Sequence, residues 1–538
     1  MNRLRLTDVK DRTLVRALQL QAQQAGDTIF LRRDEERISF HEAHARSNAL
    51  ANGLKSLSVD PGDRVAIFMK SNVETILLTF AVNKLGAVWT PINTDYKGQW
   101  LEELLNACRP KVIVTDSEMW PRLREVLDRV RYEHLVTHQS GRLDPVHNAV
   151  GFADLLQNSR SEIDLRSVGY GDTSALMWTS GTTGKSKGVL QPHNIWIMKA
   201  ESYESAFETR PGDVIYSMMP LYNSGAWGTN VFRALVEGIT CALDSQFSVR
   251  SFWDRIRYYN ATQSFTLGAM HIFLWQAPEK EDDASNPLRA AAMVPMPEEL
   301  IAPFSRRFGI ETICQRFGQS EAALILHRVN DRARKWKPNA LGEPYPGGVE
   351  VKLLDDTGSE VAAGDVGEFC VKPTTPFTLF NGYFDNPEAT KAAYVGDWYR
   401  TGDLGIRDSD GDYFFVDRKR DAIRYKGRNI STLEVEAAVR RHPTIADVAA
   451  FGIRASELCA ESELKISVIL KPGAVLTAED LARFINDTAP YYFVPRYIEF
   501  VEELPYTPTK KLQKYLLRTQ GVTPATWDLR SSSFKVAK

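Results

Sequence analysis

Residues 179–188 have the sequence Thr-Ser-Gly-Thr-Thr-Gly-Lys-Ser-Lys-Gly, which concentrates hydroxyls, glycines and lysines in one short stretch. Apolar residues precede it at 175–178, so we expect a short strand and then a loop that leaves a sheet. Glycines let backbone N–H groups approach an anion closely, while hydroxyls and lysines add hydrogen-bond donors and positive charge. The stretch therefore predicts a phosphate-binding loop rather than a flexible linker.

A Walker A loop is the nearest alternative, because Gly184-Lys185-Ser186 matches the last three positions of that motif. The first glycine of a Walker A loop would have to be residue 179, which is threonine. The sequence therefore favours a phosphate loop of another class.

With 538 residues, the chain is long enough for more than one domain and for a large core. Its formal net charge of −2 gives no overall basic field, so the composition does not indicate a nucleic-acid partner. The most apolar run, residues 65–92, is interrupted by Lys70, Glu74 and Lys84, which excludes it as a bilayer span.

Residues 1–14 mix charged and apolar side chains, and we expect no secretory signal there. The five cysteines lie far apart and form no Cys-x-x-Cys pair, which favours buried thiols in a reducing compartment. His41 and His44 lack the spacing of a His-Glu-x-x-His zinc motif, so we expect both on a helix surface. Together these features predict a cytoplasmic protein without a transmembrane segment.

Helical patterns alternate with short apolar strands in the N-terminal part, for example the strands at 65–68 and 111–114 with a helix at 76–85 between them. This alternation predicts parallel sheets covered by helices, and hence an α/β fold class. Near the C-terminus, strand patterns at 448–451 and 465–470 and a helix at 477–485 predict a small α+β unit.

A second stretch whose side chains could bind a ligand is Phe317-Gly318-Gln319-Ser320-Glu321, which follows an apolar segment. The ring of Phe317 offers a stacking surface for adenine, and Gly318 permits close approach. The hydroxyl of Ser320 can donate to a phosphate, and the carboxylate of Glu321 is a hard oxygen ligand suited to Mg²⁺. Taken alone, a glutamate after a turn is more often a helix cap. Together with the other motifs, the pattern favours a nucleotide site with one metal-binding carboxylate.

Residues 179–188 resemble, position for position, the phosphate loop of the adenylate-forming superfamily, which includes acyl-CoA synthetases, luciferases and peptide-synthetase adenylation domains. Residues 317–321 are similar to its Tyr-Gly-x-Thr-Glu motif, and Trp-Tyr-Arg-Thr-Gly-Asp at 398–403 is the most specific match. The pattern Gly-x-Asn-Ile-Ser-x-x-Glu-Val-Glu from Gly427 resembles ligases of the crotonobetaine/carnitine-CoA type most closely. The resemblance covers residues 38–518.

The resemblance implies ATP, Mg²⁺ and coenzyme A as cofactors, with Glu321 holding the metal. It implies that the loop holds the leaving phosphates, and that Asp403 and Arg418 contact the ribose. The nucleotide contacts implied in this way are Thr179, Ser180, Gly181, Thr182, Thr183, Gly184, Lys187, Phe317, Gly318, Ser320, Asp403 and Arg418.

Two further segments resemble the walls of the family's carboxylate pocket. Asn223 replaces a common aromatic residue or histidine, while Ala292 and Met293 replace glycines, so we expect an unusual pocket shape. The predicted pocket residues are Tyr222, Asn223, Trp227, Ala292, Met293 and Val294.

The resemblance also implies a large multi-subdomain N-terminal domain (1–416), a hinge (417–420) and a small mobile C-terminal domain (421–538). Arg420 is the expected pivot of the hinge. Lys426 and Gly427 would approach the acyl-adenylate during thioester formation. Lys511 aligns with the catalytic lysine, with Lys510 as the alternative register. Ser431 and Glu434 have the spacing of a capping box before the first helix of the small domain.

The implied function is an ATP-dependent carboxylic acid–CoA ligase that forms an acyl-adenylate, releasing pyrophosphate and then AMP. Its partners are a small-molecule acid and CoA, and a homodimer is the family-based expectation. Loading of a carrier-protein thiol and a catalytically impaired nucleotide-binding homologue stay open as alternatives. Amino-acid activation is disfavoured because no aspartate lies at 222–224. Fatty, aromatic, terpenoid-like and carnitine-like acids all stay possible.

Overall fold

The structure is a computed structural model that describes residues 2–138, 149–179, 186–328, 336–355, 357–418, 422–425, 428–454, 462–505 and 514–537. Its described strands form three sheets before residue 419 and two smaller sheets after residue 421.

The strands up to residue 192 are β1 (Ile29–Arg33), β2 (Glu36–Ser39), β3 (Arg64–Phe68), β4 (Val88–Pro91), β5 (Val112–Asp116), β6 (His134–His138), β7 (Ala149–Gly151), β8 (Thr173–Thr179) and β9 (Lys187–Pro192). The next are β10 (Val214–Ser217), β11 (Thr240–Leu243), β12 (Gln263–Leu267), β13 (Ala290–Val294), β14 (Thr312–Phe317), β15 (Leu326–Arg328) and β16 (Glu343–Pro344). The remaining strands are β17 (Val349–Leu354), β18 (Val366–Pro373), β19 (Tyr394–Val395), β20 (Trp398–Arg407), β21 (Tyr413–Arg418), β22 (Ala422–Tyr425), β23 (Arg428–Ser431), β24 (Ile445–Arg454), β25 (Ser462–Leu470), β26 (Tyr497–Phe500) and β27 (Trp527–Asp528).

The helices up to residue 237 are α1 (Leu14–Ala25), α2 (Phe40–Ser56), α3 (Val73–Lys84), α4 (Gly98–Cys108), α5 (Trp120–Arg124), α6 (Phe152–Leu156), α7 (His193–Glu201), α8 (Glu204–Phe207), α9 (Ser224–Ala226) and α10 (Phe232–Glu237). The later helices are α11 (Phe252–Tyr259), α12 (Ala269–Gln276), α13 (Glu298–Phe308), α14 (Pro387–Ala392), α15 (Thr432–Arg440), α16 (Ala478–Thr488) and α17 (Lys514–Gln520). A π-helical turn, Trp227–Val231, joins α9 to α10.

The first sheet has the strand order β7-β6-β5-β3-β4-β8-β9 and is parallel from β7 to β8. Strand β9 pairs antiparallel with β8 and closes this edge as a hairpin. All residues of β5 and all of β3 except Arg64 are buried, because helices cover both faces of a parallel sheet.

The second sheet has the order β16-β15-β14-β13-β12-β10-β11-β1-β2. Its central strands are parallel, and antiparallel strands stand at both ends. Helix α3 packs between the two sheets and is buried at every residue except Glu74. Seven of the twelve α3 residues are apolar, and the buried polar side chains Thr75, Thr79, Asn83 and Lys84 are hydrogen-bonded, as burial on all sides requires.

The third sheet (β17 to β21) is antiparallel, and the segments after residue 421 form a separate small α+β unit around β24-β25-β26-β27. The expected α/β architecture with a large N-terminal and a small C-terminal domain is confirmed. The small unit packs on the large one near α4, where the Trp100 and Phe493 rings meet edge to face with centroids 5.1 Å apart. Nearby, the amide of Asn93 donates to the Tyr492 hydroxyl at 3.1 Å.

The expectation that both His41 and His44 lie on a helix surface is wrong for His44. His41 is exposed, but His44 is buried where α2 packs on α3, and its Nε2 contacts a Glu162 oxygen at 2.8 Å. Beside it the buried Lys84 amine donates to the carbonyl of His44 at 3.1 Å. Burial lowers the pKa of Lys84 to about 7. The buried stripe of α2 is wider than its apolar residues indicated, because polar partners satisfy one another there.

In the part of the chain that the structure describes, no helix has the length and apolar character that crossing a bilayer requires. The four described cysteines, Cys108, Cys241, Cys314 and Cys370, are buried free thiols.

Candidate active site

The predicted phosphate loop connects the two strands of the β8–β9 hairpin. Thr179, the last residue of β8, stands opposite Lys187, the first residue of β9. The predicted strand before the loop is thus present, and the hairpin fixes both ends of the loop at the sheet edge. The loop residues Ser180, Gly181, Thr182, Thr183 and Gly184 lie outside the described residues.

Glu321, the predicted metal ligand, is buried and faces this hairpin through Tyr383. The Tyr383 hydroxyl donates to Glu321 Oε1 at 2.9 Å. On the Tyr383 ring lies the amine of Lys187, with Nζ 4.7 Å from the ring centroid. Three residues from distant parts of the sequence therefore form one group beside the loop.

Burial raises the pKa of Glu321, because removing a carboxylate from water disfavours its charged form. The Tyr383 hydrogen bond and the charge of Lys187 oppose this shift, while the negative charge of Asp403 adds to it. A cation bound at Glu321 would favour the ionised carboxylate and so offset the cost of burying its charge. The surroundings of Glu321 therefore suit a cation-binding site.

Sequence reasoning missed Tyr383. It follows Gly382, whose φ of 112° is open mainly to glycine, in a segment that resembles a turn. The pair Gly382-Tyr383 carries only a weak signal, since turns with glycine and tyrosine are common. Its role becomes visible only when the chain returns to the hairpin, where the backbone N–H of Leu190 donates to the Gly382 carbonyl at 3.0 Å.

The segment Phe317–Glu321 is held in place by its neighbours on both sides. The amide of Gln191 in β9 donates to the Ser320 carbonyl at 2.5 Å. The side chain of Gln319 donates to the Thr401 carbonyl at 3.2 Å, which ties this segment to β20. A Cβ at Gly318 would lie 2.7 Å from the Ala323 carbonyl oxygen, so this position accepts only glycine without rearrangement.

The predicted adenine and ribose residues lie together. The ring centroid of Phe317 is 5.1 Å from that of Phe369 and 6.4 Å from that of Phe415. Asp403 in β20 is buried, and its backbone N–H donates to the Thr401 hydroxyl at 3.1 Å. Register pairs Asp403 with Arg418 of β21, although the Arg418 side chain is not described. The β20–β21 pairing thus places the two predicted ribose residues, fifteen positions apart in the sequence, opposite each other on adjacent strands.

Around the predicted acyl pocket, Asn223 and Trp227 also have structural partners. The side-chain oxygen of Asn223 accepts a hydrogen bond from the Gly225 N–H at 2.8 Å, and so caps α9. Trp227 is buried in the core, where its indole N–H donates to the Leu221 carbonyl at 2.6 Å. Half-buried Tyr222 donates to an Asp95 oxygen at 3.1 Å.

The other predicted pocket residues lie on β13, in the middle of the second sheet. Ala292 and Met293 are buried and belong to hydrophobic clusters on opposite faces of the sheet, while Val294 is half-buried. Alternation along a strand explains why neighbouring residues divide between faces. Ala292 faces the core between the two sheets, together with Phe265 and Cys314.

The small unit reaches the phosphate loop through Glu434. The Ser186 hydroxyl donates to Glu434 Oε1 at 3.0 Å. Burial raises the pKa of Glu434 to about 8, and the Ser186 hydrogen bond lowers it in part. The sequence predicted Glu434 only as part of a capping box, not as a partner of Ser186. Lys426, Gly427, Arg420 and Lys511 lie outside the described residues.

Comparison with known sequences gives two family matches. The sequence model of the AMP-binding enzyme family matches residues 18–384, and that of the AMP-binding enzyme C-terminal domain matches residues 434–511. The chain is 29% identical over 482 residues to the crotonobetaine/carnitine–CoA ligase of Escherichia coli strain ATCC 8739, covering 87% of this chain and 90% of that relative.

Solved structures share the fold at low sequence identity. A double mutant of the o-succinylbenzoate CoA synthetase MenE from Bacillus subtilis superposes with a TM-score of 0.81 at 23% identity, covering 94% of this chain and 98% of that chain. A variant of the amide bond synthetase McbA from Marinactinospora thermotolerans gives 0.81 at 23% identity, covering 95% and 100%.

Proposed function

The chain belongs to the AMP-binding enzyme family, and on that premise we propose that it is an ATP-dependent carboxylic acid–CoA ligase. The observation that carries the proposal is the group formed by Lys187, Tyr383 and Glu321 beside the hairpin that bears the phosphate loop. Asp403 lies close enough for its charge to raise the Glu321 pKa. A cation for the phosphates, a buried carboxylate for Mg²⁺ and a carboxylate for the ribose are groups that suit a bound nucleoside triphosphate.

In the first half-reaction a carboxylate oxygen of the acid attacks the α-phosphorus of ATP. A new P–O bond forms, the bond to the β-phosphate oxygen breaks, and pyrophosphate leaves. Lys187 and the loop residues Thr182, Thr183 and Gly184 hold the leaving phosphates. Lys511 bridges the oxygens of the carboxylate and the α-phosphate. Positioning and charge stabilisation lower this barrier, because the protein forms no covalent bond itself.

The residues that would position the nucleotide lie on the third sheet, on β14 and in the segment that follows β14. Phe317 stacks on adenine, and Gly318 and Ser320 lie against the phosphates. Asp403 and Arg418 bind the ribose hydroxyls. Thr179 completes the strand end at which the phosphate loop starts.

Mg²⁺ fits this site through Glu321. A single carboxylate together with substrate phosphates is a usual way for a protein to bind Mg²⁺. When bound, Mg²⁺ would neutralise charge on the leaving pyrophosphate. Tyr383 orients Glu321 for this role.

In the second half-reaction the thiol sulfur of CoA attacks the acyl carbon of the mixed anhydride, and AMP leaves with the electrons of the C–O bond. The small domain, residues 421–538, rotates about the hinge at 417–420, with Arg420 as pivot. Lys511 leaves the site and the loop with Lys426 and Gly427 enters it, so one cleft serves both steps. The contact between Ser186 and Glu434 supports a domain arrangement in which the start of α15 lies against the phosphate loop.

Pyrophosphate release across a panel of carboxylic acids, with and without CoA, tests this proposal. We expect release that depends on one class of acid, acyl-CoA detectable by mass spectrometry, and loss of adenylation in Lys511→Ala. Activity retained in Lys511→Ala but lost in Lys510→Ala would move the catalytic position by one residue.

Acyl-adenylate without acyl-CoA would instead favour a carrier-protein thiol as the acceptor. Binding of ATP with no release of pyrophosphate from any acid would contradict the ligase proposal and favour a catalytically impaired homologue. We also propose a cytoplasmic location, which cell fractionation can test, and a homodimer, which light scattering on the purified chain can test.

A further inference from the structure

Three side chains that we call the cationic cluster, Lys199, Arg316 and His327, lie behind the nucleotide site. Arg316 directly precedes Phe317 in β14, so its side chain points to the opposite face of the sheet. On that face it extends the row begun by Cys314, which pairs with Ala292. The cluster therefore adjoins the wall predicted for the acyl pocket.

Arg316 is 9% exposed, and its hydrogen-bond and ring partners among the described residues are neutral. Its two terminal nitrogens donate to the hydroxyl and carbonyl of Ser202 at 2.6 and 2.7 Å. The guanidinium carbon lies 3.5 Å from the centroid of the Tyr203 ring. Within the described residues its Nε is buried without a hydrogen-bond partner, and no carboxylate forms an ion pair with it.

Lys199 enters the cluster from α7. Its alkyl chain crosses Gly228, because a Cβ placed there would lie 2.6 Å from Lys199 Cδ. Gly228 directly follows Trp227, another predicted pocket residue. Lys199 is half-buried, and burial together with the charge of Arg316 lowers its pKa to about 8. Its amine has neither an ion-pair partner nor a hydrogen-bond partner among the residues that the structure describes.

His327 stands beside Arg316 in the β14–β15 pairing. Both ring nitrogens are buried and lack a hydrogen-bond partner in the described part of the chain. Burial and the neighbouring guanidinium lower its pKa to about 4, so the ring is neutral at neutral pH. A neutral imidazole still offers one N–H donor.

Three carboxylates near the cluster have other partners. Glu201 pairs with Arg12 at 2.8 Å, Glu204 with Arg3 at 2.8 Å, and Glu237 with Arg233 at 3.1 Å. Buried charges in proteins are normally paired, because an isolated charge loses its hydration. Two cations that lack a counter-ion among the described residues, beside the wall predicted for the acyl pocket, therefore point to an anionic ligand.

We propose that the acid activated by this enzyme carries a second carboxylate, which Arg316 and Lys199 bind with His327 as a further donor. The proposal rests on the ligase function proposed above and names its substrate class. A guanidinium matches the planar geometry of a carboxylate, and the lysine adds a point charge. The second carboxylate is bound only: none of its bonds forms or breaks while the first reacts at the nucleotide.

The substrate proposed for this chain differs in charge from the substrates named for its curated relative. Crotonobetaine and carnitine, named for the Escherichia coli relative, carry a quaternary ammonium group. The charges of Arg316 and Lys199 would repel such a cation. The same charges would attract the unreacted end of a dicarboxylic acid.

The test measures pyrophosphate release by the full chain with ATP, Mg²⁺ and CoA. Succinate, glutarate, adipate and phthalate are compared with their monomethyl esters and with crotonobetaine. We expect the preferred diacid to exceed its monoester about 10- to 100-fold in kcat/KM, the range for a hydrogen bond to a charged group.

Arg316→Gln and Lys199→Met should reduce this ratio towards one, chiefly by raising KM for the diacid. The control is Lys352→Met, which removes a half-exposed lysine of β17 and should leave the ratio unchanged. As a second readout, the diacid without ATP should raise the melting temperature of the wild type more than its monoester does, and this difference should vanish in Arg316→Gln.

A monoester or crotonobetaine used as well as the diacid would overturn the inference, as would an unchanged ratio in Arg316→Gln. Both results leave the ligase function intact. If no acid releases pyrophosphate, the proposed function fails, and the melting measurement then decides separately whether the cluster binds a diacid.

Discussion

The Ser186 hydroxyl donates to the Glu434 carboxylate at 3.0 Å, and this hydrogen bond joins the phosphate-loop hairpin of the large domain to the first helix of the small one. Burial raises the pKa of Glu434 to about 8, far above that of an exposed glutamate. The contact between the two domains therefore depends on the protonation state of Glu434, and so on pH.

The domain contact should weaken as pH rises. Because the folded-state pKa of Glu434 is raised, its contribution to stability is full below about pH 4.5 and is lost as pH rises to about 8. We expect the first thermal transition of the wild type to fall by several degrees more between pH 5 and pH 9 than that of Glu434→Gln. Exposed Glu502 provides the control Glu502→Gln, which should follow the wild type. Parallel pH profiles for Glu434→Gln and wild type would contradict the assignment.

Tyr383→Phe should weaken the metal site while keeping the ring under Lys187. Loss of the 2.9 Å hydrogen bond leaves Glu321 less well oriented, so we expect adenylation to fall about 10- to 100-fold and to need more Mg²⁺. Pyrophosphate release as a function of Mg²⁺ concentration measures this. In Tyr394→Phe, which removes a hydroxyl without a hydrogen bond in the described residues, both quantities should stay near wild type. An unchanged Mg²⁺ dependence in Tyr383→Phe would exclude the orienting role.

Gly318→Ala should impair nucleotide binding, because the added Cβ would lie 2.7 Å from the Ala323 carbonyl oxygen. The segment would have to shift, and we expect ATP affinity to fall at least about tenfold, measured by calorimetry. At Gly169 the same substitution meets the Asp172 side chain at 3.5 Å, an ordinary contact, so Gly169→Ala should bind ATP normally. Equal affinities for the two variants would place Gly318 outside the nucleotide site.

Asp403→Ala should remove recognition of the ribose. We expect kcat/KM for ATP to fall about 10- to 100-fold, since hydrogen bonds to a charged group are lost. The wild type should discriminate against 2′-deoxy-ATP, and the variant should treat the two nucleotides alike. Because the charge of Asp403 raises the pKa of Glu321, the variant should also shift the acid limb of activity to lower pH. Retained discrimination in Asp403→Ala would show that another residue binds the sugar.

The sequence alone predicted the α/β architecture, because buried strands and covering helices have distinct periodicities. It also singled out the stretch at 179–188 and the carboxylates Glu321 and Asp403 as candidate site residues, because compact motifs place glycines, hydroxyls and carboxylates at fixed short spacing. The burial of His44 escaped it, since a histidine three residues from His41 gives no sign of the Lys84 partner that α3 supplies.

Only the tertiary structure joined residues that lie far apart in the chain. Tyr383 contacts Glu321 across 62 positions, and Ser186 contacts Glu434 across 248. The cationic cluster likewise combines α7, β14 and β15, and its lack of carboxylate partners within the described residues could be recognised only once the pairs of Glu201, Glu204 and Glu237 were known. Local patterns determine which helices and strands form. Which charged side chains find a partner depends on how those elements pack against one another, and the contacts that decide this join residues from distant parts of the sequence.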